Sequence, residues 1–396
     1  MSLLWDEISQ EESACYFPHV NRAGGFCREH SEDIVTTLSS FESAVSIAEA
    51  LCENVIHYGK EASVIAMASF SSCVRGAFPV LVSPTCKKGD SPRDSASLVK
   101  TVLDAWKSFG ASTFGPIWSF ASDGDAGRRA MVYQMFMKCK VGPGHYLFKY
   151  LSRLPGLNLQ TGDDDIRVDF DWKHILKRLE RLWLTFEGIM INDTVINCHT
   201  IRRHLLLDES LSDTHIERMM NPEDSQDVPR AIEFLEAIES IRDHPMDNIS
   251  DPSLLQKQHL IGVIGELFAS FMDAFLRPDW DLKEQLTSLS KVAHATCALF
   301  VKHGINFMPN QLYGDMQTTI KNVFFCVAKQ QELDVSQPLY LFNMGDDRLE
   351  SLFGCVRMQG AHNPNFTYKQ LLDRLAAAID LEAIFTRHPK LHTGFR

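Results

Sequence analysis

The chain has 396 residues, 45% of them hydrophobic and 23% charged, enough apolar content for one large core or two ordinary ones, which excludes a disordered tail. Its 51 acidic residues against 39 basic ones give a formal charge of −12, a balance that counts against nucleic-acid binding by this chain unaided. No run of eighteen apolar residues occurs and the opening MSLLWDEISQEES has neither a basic nor an apolar signal region, which disfavours a membrane span and secretion.

In chain order, Leu3 to Ile8 is a short apolar strand run that ends in acid at Asp6 and Glu7, and Glu61 to Phe70 is a second strand. Ala77 to Val82 is a third, and Pro79 favours an edge position for it. Ser95 is placed to cap a helix over Ala96 to Phe109, with Leu98, Val99, Val102, Leu103 and Trp106 on one face and Gly110 closing it. Pro116 to Ser122 is a buried-type strand that stops at Asp123-Gly124-Asp125, and Arg128 to Cys139 follows as a helix with Met131, Val132, Met135 and Phe136 inward. The alternation in Ile166 to Asp171 marks a half-exposed strand. Strands interleaved with helices give an α/β sheet pattern for this part.

From about Trp172 the pattern turns helical. Asp227 caps a segment from Val228 to Ile241, and Leu254 to Leu276, Leu282 to Val301 and Gln317 to Gln330 are further apolar-periodic stretches. The linker-like stretches are Asn221 to Asp227 and Asp243 to Ser253, and the last segment, Asp346 to Leu381, reads as helix. The ten cysteines are scattered without a C-x-x-C pair, as expected of reduced thiols in the cytosol or nucleus, where the sequons at Asn192, Asn248 and Asn365 are chance matches. Cys27 and His30 have C-x-x-H spacing, but zinc needs about four ligands and no second pair lies nearby in sequence, so the motif reads as structural.

Walker, zincin and serine-hydrolase signatures are missing. The chemistry-bearing signal is instead carboxylates at element ends: Asp6, Asp123, and Asp347 with Glu350 on one helical face. Hard Mg²⁺ takes oxygen ligands from one or two carboxylates, and two such ions suit phosphodiester chemistry. The block Phe170 to Arg178 adds His174, Lys177 and Arg178, which read either as a solvated basic helix face or as contacts to a nucleic-acid backbone.

Three ordered blocks, Leu4-Trp5-Asp6-Glu7-Ile8, then Ser122-Asp123-Gly124-Asp125 with Phe170-Asp171-x-x-His174-x-x-Lys177, then Asp347-x-x-Glu350-x-x-Phe353-Gly354-x-x-Arg357, resemble the transposase core of P-element-type DNA transposons. The last block continues as Gly360-x-x-Asn363-Pro364 and Tyr368 to Leu372, and the whole chain is similar to transposon-derived proteins common in fungal genomes. The resemblance implies an RNase H-like mixed sheet flanked by helices and interrupted by a large all-helical insertion, with core parts at 1–176 and 345–396 and the insertion at 177–344. It implies a metal triad of Asp6, Asp123 and Glu350 that holds Mg²⁺ or Mn²⁺, Asp347 as an accessory acid, Asp125 as an alternative to Asp123, and His174, Lys177 and Arg178 at the DNA backbone.

The implied activity is metal-dependent DNA strand cleavage and strand transfer, with a catalytically inactive DNA-binding or protein-interaction module as the alternative. The resemblance further implies a nuclear location, or a cytoplasmic one for a remnant. A homo-oligomer is compatible with it. The first acid comes five residues after the start, so the family's zinc-coordinating amino-terminal region is expected to be missing and transposon-end DNA to be met through another module or chain. GTP enters by analogy with the family's insertion only, without matching residues.

Overall fold

A computed structural model describes the chain apart from residues 72–73, 89–90, 209, 222–226, 245–250, 361–364 and 392–396. It divides into two compact units, Met1–Asp169 with Asp334–Arg396, and Phe170–Leu333.

The first unit is built on a five-stranded mixed sheet. Its elements run β1 (Ser2–Ser9), α1 (Phe41–Cys52), β2 (Glu61–Ala68), β3 (Ala77–Thr85), α2 (Pro92–Ala105), β4 (Ser119–Ser122), α3 (Ala126–Phe136) and β5 (Arg167–Phe170), with the sheet order β3-β2-β1-β4-β5. β1 pairs antiparallel with β2 and parallel with β4, and β2 pairs antiparallel with β3. β3 is the edge strand its Pro79 suggests, and the register slips beside that proline, between Ile65 and Ala66 of β2. β1 and β2 sit inside the sheet and are covered on both faces, which is why their apolar runs are nearly continuous.

In the helical unit, α4 (Trp172–Leu184), α5 (Val228–Ser240), α6 (Pro252–Leu276), α7 (Leu282–His303) and α8 (Asn310–Leu333) surround an aromatic core. Trp172 of α4 stacks on Phe275 of α6 at 5.3 Å between ring centroids, and Trp183 meets Phe268 edge-on. α4 therefore belongs with these helices from its first turn. α6 is long and apolar enough to cross a membrane by length and composition, but Ile261, Ile264, Phe268, Phe271 and Phe275 are buried inside this unit, as in the central helix of a bundle. Asp227 caps α5 as its position before Val228-Pro229 predicts, accepting from the Arg230 amide.

The chain re-enters the sheet unit at Asp334, where the Gly345 amide donates to Asp169 of β5 at 2.8 Å. Two helices follow, α9 (Asp347–Met358) and α10 (Tyr368–Arg387), in place of the single helical segment expected from Asp346 to Leu381. Asn363 and Pro364, which mark the turn in the sequence, lie outside the described residues. Leu349, Leu352, Phe353 and Val356 of α9, with Leu371, Leu375 and Ala378 of α10, cover the sheet face that carries Leu4, Ile8, Val64, Ala66 and Ala121. On the other face Phe120 meets Trp5 edge-on and stacks on Phe136 of α3.

Three expectations shift. Ser91, not Ser95, caps α2: its side chain accepts from the Asp94 amide, Pro92 occupies the first turn, and Ser95 is buried inside the helix. Gly110 does not end that helix, which widens into a π-helical stretch over Trp106–Gly110 and continues to Phe114 before Gly115 turns it at φ +89°. Gly110 serves close packing instead, since a Cβ there would lie 2.6 Å from the Trp106 ring. α3 starts two residues before Arg128, capped by Asp125, and stops at Phe136, leaving Cys139 in a short strand.

Candidate active site: a carboxylate pair under a buried arginine

The parallel register between β1 and β4 pairs Leu4 with Ala121. Extended by two residues on each strand, it brings Asp6 level with Asp123 on the same face, because side chains alternate with a period of two. That face also carries Leu4 and Ile8, onto which Leu349, Leu352 and Phe353 of α9 pack, and Glu350 is a neighbour of those residues in the helix. The register thus sets Asp6, inside β1 and two residues past its last pair with β4, beside Asp123, the residue directly after β4, next to a helix that bears further acids; β1 runs on to Ser9, so Asp6 does not end its strand as the sequence suggests. Gly124, at φ +79°, provides the left-handed residue that lets the chain turn from β4 into α3 directly after Asp123.

A residue that the sequence reading did not single out as functional holds this pair together. Arg128, in the first turn of α3, is 6% exposed, and its Nη1 lies 2.7 Å from Asp123 Oδ1 and 3.8 Å from Asp6 Oδ1. The same nitrogen donates to the Trp5 carbonyl at 3.3 Å, and Nη2 binds Glu7. The guanidinium also lies over the Trp5 ring at 5.7 Å from its centroid. An arginine soon after an acid-ending strand is the one signal in the sequence that pointed to it.

The charges respond to this crowding. Burial pushes Asp6 up to about 7; Arg128 opposes that rise and neighbouring Asp123 adds to it. Glu7 is also raised, by burial, against the pull of Arg128 and Lys87. Burial works to lower the Arg128 pKa, but Glu7, Asp123 and Asp6 outweigh it and hold the group firmly charged. Around Glu7 sit two more cations: Lys87 Nζ is 3.9 Å from it and 2.6 Å from Glu61, and Arg28 donates to Ser63 Oγ, which in turn donates to Glu7.

The other candidates take separate roles. Asp125 accepts the Gly127 amide at 2.8 Å as the cap of α3, which occupies one of its oxygens. Asp347 lies within electrostatic reach of Arg348 and Glu382, and Glu382 is pushed up to about 7 by burial, with Asp347 adding to the rise. In the helical unit, His174 Nδ1 is 2.9 Å from Asp171, which also caps α4 and is held low by His174 against its complete burial. Arg178 pairs with buried Asp315 of α8, and Lys177 is half-buried on the same helix.

The donor chemistry of the pair fits a hard divalent cation. Both contacts to Asp123 among the described residues, from Arg128 and from the Asp125 amide at 3.1 Å, fall on Oδ1, so Oδ2 remains for a ligand role. Asp6, whose carboxyl carries a proton at unusually high pH, is a second oxygen donor that a cation would ionise.

No protein-family model matches the chain, and no curated protein matches it in sequence. In three dimensions it is similar to the Drosophila P element transposase of a strand transfer complex, with a TM-score of 0.63 at 14% identity over 98% of this chain and 77% of that one. The fold is therefore P-element-transposase-like: an RNase H-like mixed sheet with a helical insertion after β5.

Proposed function

We propose that the chain is a transposase-like core for metal-dependent cleavage and transfer of DNA strands, acting in the nucleus. The carrying observation is the placement of Asp6 and Asp123 side by side on neighbouring parallel strands, in a fold shared with a transposase of a strand transfer complex. Asp6, Asp123 and Glu350 would hold Mg²⁺ or Mn²⁺, with Asp347 as an accessory acid, and such ions activate an attacking oxygen and stabilise the leaving one when bound. Asp123 is preferred to Asp125 as the second acid because Asp125 is engaged as the cap of α3.

The chain's own residues would do the rest. The β1–β4 register keeps two carboxylates at fixed spacing, and Arg128 orients Asp123 through Oδ1, so that its other oxygen faces the reacting groups. DNA ends would meet His174, Lys177 and Arg178 through backbone phosphates, with the acidic balance of the chain leaving recognition of end sequences to another module or chain. The test is strand cleavage and transfer on transposon-end DNA with Mg²⁺ or Mn²⁺, comparing the intact chain with Asp123→Asn; equal activity in both rejects the assignment.

One observation favours a second reading, a catalytically inactive derivative that binds DNA or protein. Arg128 places a permanent cation against both Asp6 and Asp123. If that guanidinium fills the position of the ion for good, calorimetric titration with Mn²⁺ shows no binding through these acids.

A further inference from the structure

The Cys27-x-x-His30 motif gains partners in the fold that no local spacing reveals. Cys27 precedes and His30 ends a single 3₁₀ turn, Arg28–His30. Cys86 follows the last residue of β3, and His57 lies in the loop between α1 and β2. The thiols of Cys27 and Cys86 and Nδ1 of His30 all lie within 4.8 Å of one another. His30 Nδ1 is 3.2 Å from Cys27 Sγ and 3.6 Å from Cys86 Sγ, and His57 Nδ1 is 3.5 Å from Cys86 Sγ. The two imidazole rings are 4.1 Å apart between centroids.

Those separations match the edges of a metal tetrahedron. With zinc–sulfur bonds of about 2.3 Å and zinc–nitrogen bonds of about 2.0–2.1 Å, the sulfur-to-nitrogen edge is about 3.6 Å. Chains of thiol-to-imidazole hydrogen bonds produce similar pair distances, but do not by themselves gather two sulfurs and a ring nitrogen from remote segments within 4.8 Å of one another, with a second imidazole beside one of the sulfurs. One further feature suits a thiolate ligand: the Cys86 backbone amide donates to Cys27 Sγ at 3.2 Å, as amides do to metal-bound sulfur, while the Cys27 thiol proton that a metal would displace is directed at Glu29. The backbone is already fixed around the cluster: the Cys27 amide donates to the His57 carbonyl at 2.8 Å, and Phe26 stacks on Tyr58.

We infer that Cys27, His30 and Cys86, with His57 drawn in from beside Cys86 as the fourth ligand, form a structural Cys₂His₂ zinc site, independent of the carboxylate pair. Soft sulfur with imidazole in four-coordinate geometry selects zinc over magnesium or manganese, and four protein ligands leave no open position for substrate. The site cross-links the end of β3, the loop before β2 and the first 3₁₀ turn, segments with only a small apolar cluster of Phe26, Ile47, Ala50 and Ile56 nearby. It also anchors Arg28 and Lys87, each adjacent in sequence to a ligand, in the cationic ring around Glu7.

Metal analysis of the full chain, purified without chelator and dialysed, is expected to give one zinc per chain. Replacement of that zinc by Co²⁺ should produce tetrahedral visible bands and a thiolate-to-cobalt charge-transfer band in the near ultraviolet. Both should persist in Asp123→Asn, which separates this site from the carboxylate pair, and vanish in the Cys27→Ser/Cys86→Ser double variant, with His57→Ala weakening Co²⁺ retention. A folded chain that takes up no zinc and shows no thiolate band overturns the inference, as does stoichiometric zinc in the double cysteine variant. If the cysteine variants do not fold, the cobalt spectrum of the unaltered chain decides alone.

Discussion

Asp6 offers the sharpest quantitative test of the carboxylate pair. Its carboxyl is half-buried, lies next to Asp123, and is pushed up to about 7 from 3.8. A raised acid binds more protons folded than unfolded between those values, so its contribution to stability is complete below pH 4 and is lost as pH rises through about 7. The difference of about three units sets an upper bound near 4 kcal/mol. Asp6→Asn removes that loss, so the variant should match the parent near pH 4 and exceed it at pH 7.5 in urea denaturation without metal. Metal binding has the opposite pH sign. Because a ligating carboxylate is ionised, Mn²⁺ affinity should rise about tenfold per pH unit up to pH 7 and then level off, with about half a proton released per site at pH 7. Calorimetry in two buffers of different ionisation enthalpy reads both quantities. Mn²⁺ affinity that is flat from pH 5.5 to 8, with unchanged affinity in Asp6→Asn, would refute the reasoning.

Arg128→Met should strand Glu7, Asp6 and Asp123 without their shared cation and lower stability by about 3–5 kcal/mol, with saturating Mn²⁺ restoring part of the loss in thermal unfolding. In the helical unit, Glu180→Ala leaves buried Arg230 without its 3.1 Å partner and should cost about 3–5 kcal/mol, whereas the Glu180→Leu/Arg230→Met pair should recover most of it in a double-mutant cycle. Gly188 has φ +62°, and a Cβ there would lie 2.0 Å from the Ile196 carbonyl, so Gly188→Ala should destabilise that unit by at least about 1–3 kcal/mol in urea denaturation.

The five strands were legible because each announces itself locally: continuous apolar runs in β1, β2 and β4, a proline in the edge strand β3, and alternation in β5, although β5 is not half-exposed as its alternation suggests but buried throughout, with Arg167 and Asp169 among its buried residues. The long helices of the second unit were legible for the same reason, through apolar periodicity and caps such as Asp227. α1 was not, because only Ile47 and Ala50 of its residues are buried and Phe41 is 79% exposed, so no apolar stripe marks it. Asp6 and Asp123 were identifiable as acids that close apolar runs, but Asp6 lies within β1, and their adjacency depends on a parallel pairing across more than a hundred residues. Arg128 and the partners of Cys27 escaped for a related reason: their meaning comes from residues distant in sequence, and no periodicity encodes that proximity.

The parallel register itself creates the electrostatic problem on which the site turns. Two carboxylates level with each other on neighbouring strands, partly withdrawn from water, cannot both ionise without a compensating cation. Three remedies are open to such a pair: a proton on one acid, a built-in guanidinium, or a divalent ion. The structure displays the first two together, since Arg128 neutralises part of the charge through Asp123 Oδ1 and Asp6 retains a proton to near neutrality. Had Arg128 sufficed alone, Asp6 would titrate in the ordinary carboxylate range. Its elevation comes first from burial and then from Asp123, which together outweigh Arg128, and this remainder gives a divalent ion a reason to bind beside the arginine. In Arg128→Met the remainder grows, so Mn²⁺ affinity should rise above a measurable parent affinity if the pair is a metal site, whereas a guanidinium that fills the ion's position leaves the parent without Mn²⁺ binding.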